Sequence, residues 1–270
     1  MLAPPPMLAP PPLFAPKAYD ETSVFEAGNL LREGRRQRNR SEQPVPAVCL
    51  LDPDGDVVRH LRNTNAATLH DGWACYHSEL WVTCIDGIDI GIVPCAVGAP
   101  YAVLIAEQLA ASGCALTISI TSAGRIVPLD DPPYFVIIER ARRDEGTSVH
   151  YVAPSEWSHL NPALLDRLRS GLDDLDEPVR FGASWTTDAP YRETASAIAD
   201  AVRAGVHAVE MEAAALYAFA EAKNAAVVCV AHVTNTMAVD GDDFEKGEAD
   251  GTYRILRLAT AIAKRLGHTA

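Results

Sequence analysis

The sequence predicts a single α/β domain in which helices cover both faces of a central mixed, twisted sheet. Short apolar runs of strand length alternate with amphipathic segments of helix length, and short turns join them. The chain has 270 residues, of which 48% are hydrophobic, so it can bury a large core. No segment between these elements is long enough to be a linker, and we therefore assign residues 24–270 to one domain.

Residues 1–23 are expected to form a flexible extension of that domain. The segment Met1–Pro6 is repeated directly as residues 7–12, and three consecutive prolines end each copy. Proline removes a backbone donor and fixes φ, so a solvated polyproline II segment is favoured over a helix. There is no basic region before an apolar run, and a secretory signal is therefore not expected.

The first half of the domain contains the following elements. Residues 24–40 are basic and amphipathic, which is typical of a short surface helix followed by a loop. Strands are expected at 47–51, 78–85 and 88–93, and the Asp86-Gly87 step predicts a hairpin between the last two. A helix over 101–112 presents a stripe of apolar residues and stops at Gly113. A strand over 115–121 is expected to end in the turn 121–124.

The second half continues the alternation. Strands are expected at 134–138, 179–187 and 226–234, the last of which is mostly apolar and therefore expected to be buried. Helices are expected at 161–171, 194–204 and 253–266. A short strand over 208–212 is expected to lead directly into an alanine-rich helix over 213–223. Ligands of such sheets bind at the carboxyl ends of strands, so these ends are the places to look for functional residues.

Composition excludes several classes of partner. The formal net charge of -13 argues against a nucleic-acid-binding surface, which is normally basic. No apolar run approaches the roughly 20 residues that span a bilayer, so no membrane association is expected. The six cysteines form no CxxC pair and no cluster with histidine, so we expect reduced thiols, no metal site and a cytoplasmic protein.

Four strand ends carry residues suited to chemistry. Gly55 permits close backbone approach and Arg59 suits forked contact with phosphate, although a turn followed by a surface arginine is an equally simple interpretation. The turn 121–124 offers hydroxyls and amides beside a floor without side chains. Strand alternation places Glu210 and Glu212 on one face, where a carboxylate could grip ribose hydroxyls, or they could simply begin the next helix. Asn235 could hydrogen-bond a leaving group or form an Asx-turn.

These segments, in this order, resemble the family of uridine phosphorylases, hexameric purine nucleoside phosphorylases and methylthioadenosine nucleosidases. The similarity spans roughly residues 47–266, and its most specific part is the run Val209-Glu210-Met211-Glu212-Ala213-Ala214. The resemblance implies that Glu210, Met211 and Glu212 bind ribose. It also implies that Ala123 and Gly124 lie beneath the base, that phosphate is a co-substrate without any further cofactor, and that the enzyme is a homo-oligomer, either a dimer or a hexamer.

Two positions depart from the phosphorylase pattern. Ser119 stands where the family places an arginine, and no arginine occurs near Asp71, where the neighbouring subunit is expected to lend a second one. Gly55, Arg59, Ser119 and Ser122 are then left to hold phosphate. Each missing charge-assisted hydrogen bond is worth roughly 1.5–3 kcal/mol. Phosphate binding could be weak, Arg125 could compensate, or water could be the nucleophile.

The base-binding half resembles the uridine phosphorylase branch. Residues 144–151 are similar to a stretch of that branch, and Asn235 stands where the purine and methylthioadenosine branches carry an aspartate. An uncharged amide suits a pyrimidine or a 6-oxopurine. Near the expected pyrimidine clamp, Tyr191 could stack on the base while Arg192 and Glu193 read its edge, or the latter two could be a surface pair.

The sequence therefore predicts a pentosyltransferase of nucleoside salvage that cleaves a uridine-like nucleoside with phosphate. The expected catalytic residues are Glu212, Asn235 and Arg59. A purine nucleoside phosphorylase, a nucleoside hydrolase that uses water on the same scaffold, and a non-catalytic nucleoside sensor remain alternatives.

Overall fold

The apolar runs pair as one mixed sheet. A computed structural model describes residues 11–172, 178–237 and 244–269 of the chain. Within these residues the strands are β1 (Val48–Asp52), β2 (Thr68–Leu69), β3 (Trp81–Ile85), β4 (Ile88–Pro94), β5 (Leu116–Arg125), β6 (Tyr134–Asp144), β7 (Trp157–His159), β8 (Val179–Thr187), β9 (Ala208–Glu210) and β10 (Val227–Asn235).

The α-helices alternate with these strands. They are α1 (Ala27–Arg38), α2 (Asp56–Asn63), α3 (Ala99–Ala111), α4 (Pro162–Arg169), α5 (Ala195–Arg203), α6 (Ala213–Lys223) and α7 (Thr252–Arg265). Asn161 and Thr194 begin α4 and α5 by accepting hydrogen bonds from backbone amides of the first turn, as N-cap residues do. None of the helices in the described ranges is long and apolar enough to cross a membrane.

Part of the sheet closes into a ring of strands that includes β5. Strand β1 lies parallel between β4 and β5, and β3 forms the predicted hairpin with β4. Strand β5 also pairs with β10 and β9, and the further pairs β10–β6, β6–β8 and β8–β9 complete a ring of five strands. Hydrophobic periodicity gives the faces of each strand but not its neighbours, so the sequence did not predict this closure.

Burial follows the pairing. Strands β1 and β10 are buried along their whole length, as expected of strands covered on both faces. Helices pack on the sheet as two groups, α1 with α3 and α6, and α2 with α4 and α7. A continuous apolar core lies between the helices and the strands. The predicted class, an α/β domain with a central mixed sheet and packed helices, is confirmed.

Two local predictions were wrong, and both affect the site. Strand β5 does not turn at 121–124 but continues to Arg125, because β10 pairs with it on one side and β9 on the other. Strand β9 ends at Glu210, so alternation does not extend to Glu212, which is the N-cap residue of α6. Helix α2, which begins directly after the turn at Gly55, was not predicted from the sequence.

Part of the N-terminal extension lies outside the described residues. This part comprises residues 1–10, and with them most of the proline repeat. Within the described portion, the Tyr19 hydroxyl donates to the Val149 carbonyl oxygen at 3.2 Å, and the Lys17 ammonium donates to the Leu13 carbonyl oxygen at 2.8 Å. The division between extension and domain at residue 23 stays a prediction.

Tyr217 joins helix α6 to two strands of the ring. Its buried hydroxyl donates to the Ile138 carbonyl oxygen at 2.5 Å and accepts from the Cys229 amide at 3.1 Å. We expect Tyr217→Phe to lower the free energy of unfolding by about 1–3 kcal/mol, because it leaves buried polar groups without their partner. Chemical denaturation measures this change. Tyr76→Phe, which removes an exposed hydroxyl bonded to Gln37, is the control, and equal effects of the two variants would contradict the assignment.

Candidate active site

The turn between β1 and α2 requires glycine at position 55. The Asp52 carbonyl oxygen accepts from the Gly55 amide at 3.0 Å and from the Cys95 amide at 2.8 Å, which ties this turn to the end of β4. Gly55 has φ +73°, and a Cβ atom there would lie 2.8 Å from Cys95 Sγ. The position therefore needs glycine both for its backbone conformation and for the close approach of Cys95.

Glu210 organises the tip of strand β9. Its Oε1 accepts from the hydroxyls of Ser184 at 2.9 Å and Thr186 at 2.5 Å, and its Oε2 accepts from the amides of Glu212 and Ala213, both at 2.7 Å. Burial is the largest influence on Glu210 and raises the pKa of its carboxyl, although each of these donors works in the opposite direction. Four internal donors occupy this carboxylate, so the geometry favours a supporting role over the ribose contact predicted for it.

Glu212, in contrast to Glu210, has spare hydrogen-bonding capacity. It is 1% exposed, and its Oε1 accepts from the Gly98 amide at 2.7 Å. Its Oε2 is buried without a hydrogen-bond partner among the described residues. A buried acceptor without a donor is costly unless a ligand satisfies it. Glu212 is therefore positioned to accept a hydrogen bond from a hydroxyl group of a ligand.

The electrostatic state of Glu212 follows from its surroundings. Burial raises the pKa of its carboxyl to about 8, and the neighbouring Glu210 carboxylate contributes in the same direction. The Gly98 amide and the Thr121 hydroxyl lower that pKa by smaller amounts. In the ligand-free protein the carboxyl is thus largely protonated at neutral pH. Hydroxyl donors from a ligand would favour its ionised form.

Ser122, predicted to bind phosphate, contacts a carboxylate of the chain itself. Asp54 Oδ2 accepts from the Ser122 hydroxyl at 2.7 Å and from the Ser122 amide at 3.1 Å. The Lys246 ammonium lies 3.1 Å from the same oxygen and 2.5 Å from Asp56 Oδ2. Burial alone would lower the pKa of Lys246. The carboxylates of Asp54 and Asp56 together outweigh this effect, so the pKa of Lys246 lies above its ordinary value.

Arg59 lies on α2 with more than half of its side chain exposed. Its guanidinium is paired with Asp56 one helical turn earlier and lies 3.6 Å from Asp250. The predicted forked arginine is therefore engaged with carboxylates. Ser119, also predicted to contact phosphate, is buried in β5 at 1% exposure, and its hydroxyl has no partner among the described residues.

Asn235 forms the Asx-turn that was one of its two predicted roles. Its Oδ1 accepts from the Met237 amide at 3.0 Å, and its Nδ2 donates to the Ala123 carbonyl oxygen at 3.2 Å. The neighbouring Gly124 has no room for a side chain, since a Cβ atom would lie 2.2 Å from Met237 Sδ. Gly124, predicted to lie beneath the base, and Asn235, predicted to bond the leaving group, are thus adjacent. Two hydrogen bonds hold the Asn235 amide in place.

The expected base clamp lies beyond the end of β8. Tyr191 is fully exposed, so none of the described residues covers its ring. Glu193 is half-buried, and burial raises the pKa of its carboxyl. The structure shows no hydrogen bond from this short turn to Glu212 or Ser122, and the roles predicted for Tyr191, Arg192 and Glu193 stay predictions.

The structure therefore brings some predicted residues together and adds others. Glu212, which follows Glu210 and half-buried Met211, contacts Gly98 at the start of α3, while Ser122 contacts Asp54, the residue before Gly55. Sequence reasoning missed the contacts of Asp54 with Ser122 and with Lys246. Asp54 lies within a motif that was noted for its glycine and arginine. Lys246 lies in a charged segment, Glu245 to Glu248, that has no distinguishing pattern.

The chain belongs to the Phosphorylase superfamily, whose sequence pattern matches residues 40–265. Its relatives include a guanosine phosphorylase of Halorubrum lacusprofundi, which is 27% identical over 180 residues, or 64% of this chain and 75% of the relative. An uncharacterized protein, R802, of Acanthamoeba polyphaga mimivirus is 30% identical over 144 residues. That match covers 53% of this chain and 56% of the viral protein. The predicted family is confirmed.

Solved structures show the same fold. Uridine phosphorylase from Vibrio fischeri ES114, complexed with 6-hydroxy-1-naphthoic acid, superposes with a TM-score of 0.69 at 20% identity. The superposition covers 84% of this chain and 93% of the other. A second structure of that enzyme gives a TM-score of 0.62 at 21% identity, covering 83% and 89% of the two chains. The fold is thus that of uridine phosphorylases.

The raised pKa of Glu212 predicts a pH-dependent stability difference. The folded state holds the Glu212 proton up to about pH 8, whereas a glutamate in an unfolded chain loses it near pH 4.5. Stability of the native protein should therefore fall as pH rises through this window. Glu212→Gln lacks this titration, so the variant should gain stability relative to the native protein between pH 4.5 and 8.5. Thermal unfolding across this range measures the difference, and a pH-independent difference would contradict the assignment.

Proposed function

We propose that the protein is a nucleoside phosphorylase that transfers the ribosyl group of a uridine-like nucleoside to phosphate, releasing the free base and ribose 1-phosphate. The observation on which this rests is the Glu212 carboxyl, which is buried, fixed by the Gly98 amide and left with one unsatisfied oxygen. Ribose hydroxyls are donors of the kind that this oxygen lacks. Membership of the Phosphorylase superfamily supports the same chemistry.

Glu212 would act on the sugar in two ways. Hydrogen bonds from ribose hydroxyls to Oε2 would fix the orientation of the ring, which lowers the entropic part of the barrier. They would also favour the ionised form of Glu212, whose proton passes to solvent as the nucleoside binds, so that negative charge lies next to a sugar that becomes oxocarbenium-like in the transition state. The network of Glu210 keeps this carboxyl in place before the substrate arrives.

The base would lie over the small-residue end of β5. Gly124 has no side chain, and the base would take the space over it that the flexible Met237 side chain fills in the ligand-free protein, while Asn235 beside it offers an uncharged amide. A neutral amide suits a base that leaves without protonation of a ring nitrogen, as uracil does. The similarity to a guanosine phosphorylase makes a 6-oxopurine nucleoside the alternative substrate. Homo-oligomerisation and a role in cytoplasmic nucleoside salvage belong to the same proposal.

Hydrolysis is the second candidate, and a specific observation favours it. Asp54 takes the hydroxyl and amide of Ser122, which are donors that phosphate would otherwise use. Ser119 supplies no positive charge where the phosphorylases have arginine. Water as the nucleophile needs no positive charge to bind it, so an enzyme with this fold could hydrolyse the nucleoside and release free ribose.

Product analysis distinguishes the two reactions. The protein is incubated with uridine, guanosine, inosine and adenosine, with and without inorganic phosphate, and the sugar products are separated. We expect uridine cleavage that requires phosphate and yields ribose 1-phosphate. Free ribose formed at a rate independent of phosphate would contradict phosphorolysis and support the hydrolase.

A matched pair of variants tests the role of Glu212 in that assay. Glu212→Gln removes the ionisable group but keeps the acceptor for the Gly98 amide, and we expect kcat/KM to fall by about 100-fold or more, a loss of roughly 3 kcal/mol of transition-state stabilisation. Glu221→Gln makes the same chemical change on the exposed face of α6 and should leave kcat/KM unchanged. Near-native activity of Glu212→Gln would contradict the proposed ribose contact.

A further inference from the structure

Three donors converge on one carboxylate oxygen beside the expected sugar site. The Ser122 hydroxyl at 2.7 Å, the Ser122 amide at 3.1 Å and the Lys246 ammonium at 3.1 Å all contact Asp54 Oδ2. A backbone amide, a hydroxyl and an ammonium are the groups that proteins commonly direct at phosphate oxygens. The arrangement therefore has the form of an oxyanion-binding subsite, and a side chain of the same protein occupies it.

The surroundings of this subsite can accept another ligand. His232 on β10 is the register partner of Ser122 on β5, so the two side chains lie on the same face of the sheet. Its ring is 1% exposed and stacks on Phe135, and its Nε2 has no hydrogen-bond partner among the described residues. A buried imidazole nitrogen without a partner is an independent sign that polar atoms are missing from this side of β5.

We propose that Asp54 is a specificity-determining residue that competes with phosphate for the Ser122 and Lys246 donors and so weakens the binding of inorganic phosphate. The proposal rests on the proposed function, because it concerns the nucleophile subsite of the same active site. Phosphate can use these donors only when the Asp54 carboxylate moves away. The Asp54 side chain is 30% exposed, which leaves it free to be displaced into solvent.

The competition has two physical components. A tethered carboxylate is present at high effective concentration, so a free anion must exceed that concentration to replace it. A phosphate dianion would also approach three carboxyl groups of one turn, those of Asp52, Asp54 and Asp56. Among the described residues, Lys246 forms ion pairs with Asp54 and Asp56. Removing the Asp54 charge therefore removes both a competitor and a source of repulsion.

Calorimetric titration with inorganic phosphate tests the proposal directly. The proteins compared are the native chain, Asp54→Asn, Asp54→Ala and Asp86→Asn. Asparagine keeps the size of the side chain but loses its charge, whereas alanine also vacates the subsite. Asp86→Asn changes net charge equally at an exposed turn where Asp86 pairs with Lys264, and serves as the control. We expect both Asp54 variants to bind phosphate at least about tenfold more tightly than the native protein, and Asp86→Asn to match the native protein.

Equal or weaker phosphate binding by folded Asp54 variants would overturn the proposal, and thermal unfolding establishes that they are folded. A structure of Asp54→Ala with phosphate provides a second test, since an oxygen of the anion should lie within hydrogen-bond distance of Ser122 and Lys246. Phosphate bound elsewhere would overturn the proposal as well. These measurements need no turnover, so absence of nucleoside cleavage would count against the proposed function and leave the result for Asp54 interpretable.

Discussion

The candidate site depends on the four hydrogen bonds that Glu210 accepts. A fully buried carboxylate is costly to ionise, and here two hydroxyls on β8 and two amides at the start of α6 offset that cost. The same bonds fix the sharp passage from β9 into α6, where Glu212 has a non-helical backbone with φ -129°. Through this constraint the Glu212 carboxyl reaches the Gly98 amide, and the end of the ring of strands is joined to the start of α3.

Buried negative charge is the second constraint on the site. Asp52, Asp54 and Asp56 crowd the turn before α2, and burial, together with its acidic neighbours, raises the pKa of Asp52 to about 7. Lys246 bridges Asp54 and Asp56 from a segment almost 200 positions later, so the turn and the C-terminal part of the chain are held together electrostatically. An acidic turn of this kind opposes an incoming anion, which is the basis of the competition with phosphate proposed for Asp54.

Local pattern predicted the elements and the family, but not the contacts that define the site. The apolar run of β10 and the Asp86-Gly87 hairpin follow from short-range physics, and the run Val209 to Ala214 carried the resemblance that the superfamily match confirms. The continuation of β5 through Ser122 depends on its pairing with β9 and β10, which lie far along the sequence. For the same reason, neither the supporting role of Glu210 beside Glu212 nor the pairing of Asp54 with Lys246 has a local sequence signal. The predicted roles of Tyr191, Arg192 and Glu193 remain predictions.

The central claim is that the free oxygen of Glu212 is the acceptor for ribose hydroxyls. The most direct measurement is a crystal structure with a C-nucleoside, in which a carbon–carbon bond joins base and sugar and therefore survives in the site. We expect a ribose hydroxyl within about 3 Å of Glu212 Oε2 while Oε1 keeps its hydrogen bond from the Gly98 amide. A ribose bound away from Glu212, or a Glu212 side chain that leaves Gly98 without contacting the sugar, would contradict it.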